Sequence, residues 1–287
     1  MDVRAPHQHG RYLRGTTQKA RFRRNKRLPM VSVHRGLWNS LPENSLSAIR
    51  AAARWDVVEI DVRLDRDGTP YLMHDRTLDR MTGASGDANG ADPAVLQQTR
   101  LRAGMGGPAA ALTEQPVPTL DAAFGALDQT GAIFDIDVKR AEDLHAVGAT
   151  IAALGCQDLG TLKIDIASRE DVAALVDLER QYDIMVMAKL KLLSEDDLPL
   201  VVALREADVA AVELRFDDLN LVKRASSFAG DLMRFGTYTL DAVHCGDLSD
   251  SYALRNPRAV WGRILDAGIR LIMTDQPEAL SRYLMTR

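Results

Sequence analysis

The sequence contains little cysteine and has no long hydrophobic run. Cys156 and Cys245 are its two cysteines in 287 residues. Two cysteines cannot form the disulfide framework of a small secreted domain, and neither cysteine has the spacing of a metal site. This low cysteine content suits a reducing compartment. No run of about 18 apolar residues predicts a transmembrane helix, and no apolar stretch follows the basic start as in a secretory signal. We therefore expect a cytoplasmic protein without stable membrane insertion.

The composition is that of an ordinary globular protein. Hydrophobic residues make up 46% of the chain and charged residues 26%, with a formal net charge of −4. That charge gives no general attraction to nucleic acid, so we expect no nucleic-acid partner. A barrel of about 250 residues can form a single domain in a chain of this length. No feature of the sequence predicts an oligomeric state.

Positive charge is concentrated at the start of the chain. Residues 1–29 contain nine lysines and arginines against one acid, Asp2, and show no apolar periodicity. We predict a disordered or loosely docked basic extension over 1–29, followed by the folded domain over 30–287. The alternative is an arm that attracts phosphate or a partner.

Beyond residue 29, short β-rich runs alternate with helical ones, which predicts a parallel α/β fold. Helical spacing occurs in five segments: 44–54, 120–127, 141–154, 169–181 and 196–206. Ser168 and Ser194 precede two of these as N-caps do. Strands are predicted in nine segments: 31–34, 57–64, 70–74, 132–138, 161–166, 184–187, 209–214, 233–239 and 270–274. For an eight-stranded barrel, one of the nine is spurious or lies outside.

The second and third candidate strands are joined by only five residues, 65–69, which include Asp67-Gly68. Asp-Gly is a turn signal, and five residues cannot hold a crossover helix, so the local pattern favours a hairpin. An extended return without a helix is the alternative. Residues 82–118 are rich in Gly, Ala and Pro with little strand character. We predict an insertion over the barrel mouth there, with a short helix near 93–100.

Two predicted strands carry alternating acids. Glu59 and Asp61 share one face of the first, and Asp135, Asp137 and Lys139 share one face of the second. Adjacent carboxylates repel each other unless a cation neutralises them, and oxygen ligands suit Mg²⁺ or Ca²⁺. A solvent-facing edge strand would also explain the first pattern alone. The second acidic strand favours a metal site at a common barrel mouth.

Two histidines end predicted strands. His34 is followed by Arg35-Gly36, and His74 is followed by Asp75. Catalytic groups of barrels lie at such strand ends. Histidine titrates near neutral pH, so one ring can accept a proton while the other donates one. Phosphodiester cleavage needs this division of labour, together with cations near the phosphoryl oxygens.

The chain resembles the glycerophosphodiester phosphodiesterase family. The resemblance rests on His34-Arg35-Gly36, Pro42-Glu43-Asn44-Ser45, Glu59-Ile60-Asp61-Val62, residues 67–83, Val117-Pro118-Thr119-Leu120, Asp137-Val138-Lys139 and residues 268–277. It runs from about residue 31 to the C-terminus and is most specific over 34–83.

This resemblance implies a TIM (β/α)8 barrel with a small inserted subdomain, in which the Glu59 and His74 segments are neighbouring barrel strands. It implies His34 and His74 as acid–base catalysts and Glu59 and Asp61 as metal ligands. Arg35 and Lys139 would contact phosphate, and Glu43 would support the first loop.

Two positions depart from the family pattern. The family usually has glutamate at the position of Asp137. An aspartate there is similar to the related sphingomyelinase-D-type phospholipases. Tyr238 stands where the family usually has a tryptophan that shapes the alcohol pocket. A bulkier, sugar-like alcohol is therefore an alternative, as in the agrocinopine phosphodiesterase branch.

We expect hydrolysis of a small glycerophosphodiester-like molecule with a divalent cation, Mg²⁺ or Ca²⁺, held by Glu59, Asp61 and Asp137. Water or a neighbouring substrate hydroxyl could be the nucleophile. A lyase-type enzyme that stops at a cyclic phosphate and a barrel that only binds phosphorylated ligands are the rival interpretations.

Overall fold

A computed structural model describes residues 14–23, 28–127 and 130–287 of the protein. It contains eleven strands in these ranges: β1 (Met30–Val33), β2 (Val57–Leu64), β3 (Pro70–Leu72), β4 (Arg100–Arg102), β5 (Leu112–Pro116), β6 (Ile133–Val138), β7 (Gly160–Ile166), β8 (Met185–Leu192), β9 (Ala211–Phe216), β10 (Arg234–Tyr238) and β11 (Leu271–Thr274). Eight of them, β1, β2 and β6 to β11, are parallel and close into a barrel through the β1–β11 and β1–β2 pairings. The predicted TIM barrel is confirmed.

Strand β3 lies outside this barrel. It pairs antiparallel with β2, from Val62 opposite Leu72 to Leu64 opposite Pro70. The turn closes because Asp65 accepts hydrogen bonds from the backbone of Asp67 and Thr69. The local hairpin prediction was therefore right, and the arrangement implied by the resemblance, with β2 and β3 as neighbouring barrel strands, is wrong.

Eleven helices are described: α1 (Arg14–Arg23), α2 (Leu46–Ala52), α3 (Pro93–Gln98), α4 (Leu120–Leu127), α5 (Leu144–Leu154), α6 (Arg169–Tyr182), α7 (Leu198–Glu206), α8 (Leu219–Ala229), α9 (Asp250–Arg255), α10 (Arg263–Asp266) and α11 (Pro277–Met285). The predicted caps are confirmed, because Ser168 accepts a hydrogen bond from Asp171 N and Ser194 accepts one from Asp196 N. Each satisfies a backbone donor that the helix start leaves free.

The alternation of side chains along β2 explains why this strand builds both core and site. Val58, Ile60 and Val62 are fully buried in the apolar layer that includes Ile49 of α2. The intervening side chains face the barrel interior, since successive residues of a strand point to opposite faces. In most barrels that interior is apolar. Here two inward positions of β2 are the acids Glu59 and Asp61.

The inserted segment contains more structure than its composition predicts. The predicted short helix is confirmed as α3, which begins after the N-cap Asp92. Strands β4 and β5 pair antiparallel into a separate two-stranded sheet, so the expectation of little strand character was wrong. The segment has its own small core, which includes Met81, Leu96 and Leu101.

Part of the predicted basic extension is a docked helix. Phe22 of α1 is fully buried against residues at the strand beginnings, among them Met30 and Met185. Lys19 pairs with Glu179 at 2.6 Å, and Arg23 pairs with Asp208 at 2.7 Å. The expectation of a disordered or loosely docked arm is therefore wrong for α1, which covers the end of the barrel opposite the mouth.

The rest of the predicted arm, residues 1–13 and 24–27, lies outside the described residues. None of the described helices is long and apolar enough to cross a membrane. The domain boundaries at 29 and 82–118 and the cytoplasmic location stay predictions.

Candidate active site

Three carboxylates from two adjacent barrel strands converge at the mouth. Glu59 and Asp61 of β2 lie opposite Asp135 and Asp137 of β6 in the parallel register. One oxygen from each of Glu59, Asp61 and Asp137 lies within 4.8 Å of the others. Because β2 pairs with β1 on one side and β6 on the other, the edge-strand interpretation of its acids is wrong.

The electrostatics of these acids differ with their neighbours. Burial and then the charge of Asp61 raise the pKa of Glu59 to about 7. Burial also acts to raise the pKa of Asp61, but the opposing charges of Lys139 and Arg35 hold it below its ordinary value. Asp137 is likewise held to a pKa of about 2 by Lys139 against the effect of burial. The cationic partners therefore favour the ionised forms of Asp61 and Asp137, whereas burial and the neighbouring acid disfavour the ionised form of Glu59.

These residues fit a hard divalent cation. Glu59 and Asp61 are 3% and 1% exposed, so their charges are poorly solvated. Lys139 ion-pairs with Asp61, and with Asp137 at 2.6 Å, so an ammonium group already bridges two of the three acids. Carboxylate oxygens from three side chains are a donor set that Mg²⁺ and Ca²⁺ prefer. The cluster could hold such a cation beside Lys139.

His34 lies at the same mouth and is held by an aspartate from the last strand end. Its Nδ1 lies 2.8 Å from Oδ1 of Asp275, which also accepts a hydrogen bond of 2.8 Å from Trp38 Nε1. Burial lowers the pKa of His34, but the bond to Asp275 and the charge of Glu59 outweigh it, so the pKa is raised. The protonated ring is therefore favoured, with Nε2 left for chemistry.

His74 follows β3 and has a similar partner with the opposite electrostatic result. Its Nδ1 lies 2.7 Å from Oδ1 of the adjacent Asp75. Burial lowers the pKa of His74, and the attraction of Asp61 is opposed by Lys139 and Arg35, so the pKa is lowered. The two imidazoles are thus biased toward opposite protonation states.

A chain of ion pairs links the two histidine loops. Glu43 is 1% exposed, and its carboxylate accepts from Arg35 at 3.1 Å and from Arg80 at 2.6 Å. Arg80 also donates to Asp75 at 2.6 Å, and Nε of Arg35 lies 3.1 Å from Asp61. The supporting role predicted for Glu43 corresponds to this central position, and Arg35 is oriented by acids on both sides.

The loop after β1 depends on two residues in the left-handed region. Arg35 has φ 53° and Asn44 has φ 55°. Asparagine tolerates this conformation better than most residues. Asn44 donates to Asp61 Oδ2 at 2.8 Å and accepts from Asp61 N at 3.0 Å, while Arg35 N donates to Glu59 at 3.0 Å. The strained turn therefore fixes both acids of β2.

Sequence reasoning missed Asp75, Arg80 and Asp275 as partners of the histidine loops. Asp75 could have been found, since it is adjacent to His74. Asp275 is 241 residues from His34, and the signal available was its position directly after the last strand.

Sequence reasoning also missed a buried ion network below the mouth. Lys163 of β7 lies 2.9 Å from Asp135 and 2.9 Å from Glu213 of β9. Lys163 and Asp165 alternate along β7 as the acids do on β2, which was the available signal. Asp135, predicted to share the face of Asp137, belongs to this inner layer.

Tyr238 ends β10 beside Met273 of β11, and burial raises its pKa to about 12. Of the other described histidines, His145 is exposed on α5 and His244 lies in the loop after β10. His7 and His9 are outside the described residues.

The fold and the mouth together define a class: barrel enzymes with an acidic cluster and two carboxylate-held imidazoles at the carboxyl ends of the strands. The model of the glycerophosphoryl diester phosphodiesterase family matches residues 34–279. The chain belongs to this family of phosphoric diester hydrolases.

A curated relative matches over a shorter stretch. The chain is 51% identical over 55 residues to "Glycerophosphodiester phosphodiesterase 1" of Rattus norvegicus. This alignment covers 18% of the chain and 17% of the rat protein.

Solved structures are similar over nearly the whole fold. A glycerophosphoryl diester phosphodiesterase from Parabacteroides distasonis has a TM-score of 0.71 at 18% identity and covers 91% of this chain and 88% of its own. An Oleispira antarctica phosphodiesterase, solved with the product sn-glycerol-3-phosphate, has a TM-score of 0.64 at 21% identity, with 91% and 98% covered. At these identities the likeness shows the fold.

Proposed function

We propose that the protein hydrolyses a glycerophosphodiester-like substrate to an alcohol and a phosphomonoester by acid–base catalysis through His34 and His74. The observation that carries this proposal is the placement of two imidazoles, each bonded to its own aspartate, at the mouth that holds the acid cluster. Family membership and the product named for the Oleispira antarctica structure support the substrate class.

Glu59, Asp61 and Asp137 would hold a divalent cation, Mg²⁺ or Ca²⁺. When bound, it would supply positive charge for the phosphoryl oxygens of the substrate. Lys139 and Arg35 would contact the same phosphate. Both are oriented by acids of this site, Lys139 by Asp137 and Arg35 by Glu43. Their charges would stabilise the transition state in a site that largely excludes water.

The different environments of the histidines support different roles for them. His34, with its pKa raised, would enter the reaction protonated and donate from Nε2 to the leaving alkoxide. His74, with its pKa lowered, would enter neutral and accept the proton of the nucleophile. General acid and general base catalysis each contribute about 10²- to 10⁴-fold when the group is correctly placed.

Alanine substitutions with two leaving groups test these roles. His34→Ala should lose most activity toward an alkyl glycerophosphodiester and far less toward a 4-nitrophenyl phosphodiester, whose leaving group needs no proton. His74→Ala should lose both activities. Calorimetric binding of Mg²⁺ or Ca²⁺ should persist in both variants, and Arg54→Ala, in an exposed ion pair with Glu278, is the control.

Near-wild-type hydrolysis of the alkyl glycerophosphodiester by either variant would refute the assignment. Phosphorus NMR of the wild-type products tests the reaction itself. A phosphomonoester is expected, whereas a cyclic phosphate that persists would identify a lyase. Hydrolysis that a chelator leaves unchanged would remove the cation from the proposal.

A further inference from the structure

A pocket opens sideways from the mouth between strands β6 and β7. Their pairing ends at Ile136 with Leu162, whereas the neighbouring β7–β8 pairing continues to Ile166 with Leu190. The separated strand ends expose a cavity of about 440 Å³ that extends between α5 and α6. This volume falls in the range of small-molecule sites, roughly 300 to 1,000 Å³.

The inner end of this side pocket belongs to the acid cluster. Asp137, Lys139, Lys163 and Lys189 line it there. Lys189 lies 3.4 Å from Asp137 and is partly exposed, so its ammonium group faces the pocket. The pocket is therefore continuous with the proposed phosphate site, and its inner end presents three lysines that are ion-paired with acids of the site.

The outer part of the side pocket is mostly apolar, with the exposed ring of His145 beside it. Its lining includes Leu144 of α5, Ala174 and Leu178 of α6, and Val138 and Ile164 from the strand ends. Ile164 faces the helices yet is partly exposed, while Leu162 and Ile166 on the same face of β7 are 0% and 4% exposed. The pocket thus leaves apolar surface uncovered where a barrel normally buries it.

Two further acids of the pocket lining, Asp171 and Asp165, already have partners. Asp171 accepts hydrogen bonds from the backbone of Ala167 and Ser168 as part of the α6 capping box. Asp165 lies 3.3 Å from Lys189. A ligand that fits this arrangement has an anionic group at the inner end and an apolar body pointing outward.

We propose that the side pocket binds an alkyl substituent on the alcohol of the substrate, so that the preferred substrates are phosphodiesters of aliphatic alcohols. This inference rests on the proposed function only in placing the phosphate at Lys139. Charge complementarity and the continuity of the pocket with the acid cluster support it. A polar, sugar-like alcohol is the competing occupant, and the test distinguishes the two.

Binding of n-alkyl phosphates, measured by calorimetry with the full chain and Mg²⁺ present, tests the pocket without requiring turnover. Affinity should rise from methyl to butyl to hexyl phosphate by about fourfold for each methylene buried. 3-Hydroxypropyl phosphate, which has the size of butyl phosphate but ends in a hydroxyl group, should bind more weakly than butyl phosphate. Equal affinities along the alkyl series, or tighter binding of 3-hydroxypropyl phosphate than of butyl phosphate, would overturn the proposal.

Two neighbouring alanines of α6 provide a matched pair of variants. Ala174 is exposed in the side pocket, and Ala173 is exposed in a different groove beside Ala203 of α7. Ala174→Trp should abolish the dependence on chain length and leave methyl phosphate binding unchanged. Ala173→Trp adds the same bulk to the same helix and should behave as wild type. Identical behaviour of the two variants would contradict the assignment.

Hydrolysis of the methyl and hexyl esters of glycerol phosphate separates this inference from the function beneath it. If the methyl ester is hydrolysed and the hexyl ester is not preferred, the side-pocket proposal fails and the phosphodiesterase proposal stands. If neither ester is hydrolysed while hexyl phosphate binds tightly, the proposed function fails and the pocket assignment stands.

Discussion

Replacing Asp275 with asparagine tests how the site controls its proposed acid. Asp275 Oδ1 lies 2.8 Å from His34 Nδ1, and the ring is 8% exposed, so water cannot easily replace this partner. A hydrogen bond to a charged group in such a place contributes about 1.5 to 3 kcal/mol. At about 1.4 kcal/mol per factor of ten, Asp275→Asn should lower kcat/KM roughly ten- to a hundredfold for an alkyl leaving group.

The pH dependence of kcat/KM tests the same substitution, and the direction of its expected change follows from the pKa of His34. The pKa of His34 is raised in the folded protein, so the protonated acid persists to higher pH than in an ordinary histidine. Asp275→Asn removes the negative charge that favours this form. The alkaline limb of the kcat/KM profile should therefore move to lower pH, and the His34 ring signals in proton NMR should titrate at lower pH.

Trp38 provides the control for this experiment. Its Nε1 donates to the same oxygen of Asp275, so Trp38→Phe removes a neighbouring donor but keeps the aspartate charge beside His34. The alkaline limb of the kcat/KM profile of Trp38→Phe should not move to lower pH. If Asp275→Asn shows a wild-type profile and rate, His34 is not the acid that this aspartate supports.

Three further substitutions test the supporting structure. Glu43→Ala removes the buried carboxylate that pairs with Arg35 and Arg80 and should lower the free energy of unfolding in urea by about 3 kcal/mol or more. Glu278→Ala, in an exposed ion pair, should change it by less than about 1 kcal/mol. Phe22→Ala should lower the free energy of unfolding by about 3 to 5 kcal/mol because the ring is fully buried. Leu28→Ala should lower it by less than about 0.5 kcal/mol because Leu28 is 59% exposed, and equal effects of the two substitutions would contradict the docking of α1. Saturating Mg²⁺ or Ca²⁺ should raise the melting temperature of the wild type, since a cation at one hundred times its Kd adds about 2.7 kcal/mol to the free energy of unfolding. The melting temperature of Asp61→Asn should not change with the cation, and a shift in this variant would place the cation elsewhere.

The sequence predicted those parts of the site that follow from local periodicity. Glu59 and Asp61 alternate with valine and isoleucine, so their common face could be read from β2 alone, and Asp137 follows the same rule on β6. His34 and His74 could be placed at the mouth because each follows an apolar run. Local turn chemistry at Asp67-Gly68 also predicted the hairpin correctly where the family resemblance did not.

The features that escaped prediction depend on contacts between distant segments. Asp275 reaches His34 only after the barrel closes, and no local pattern encodes that distance. Helix α1 is anchored by the single buried ring of Phe22 and by ion pairs such as Lys19 with Glu179, so it shows none of the repeated apolar spacing that predicts a docked helix. The widening between β6 and β7 likewise follows from strand register.

The position of α1 also sets the orientation of the protein toward anything joined to it. The helix covers the floor of the barrel. Arg234 donates hydrogen bonds to the carbonyl oxygens of Phe22, in the helix, and of Leu28, which lies after it. A tag, surface or fusion partner joined directly at Arg14 would therefore meet the barrel at its floor. An enzyme immobilised in this way would present its open end to the surrounding solution, with access to both histidines unobstructed by the support.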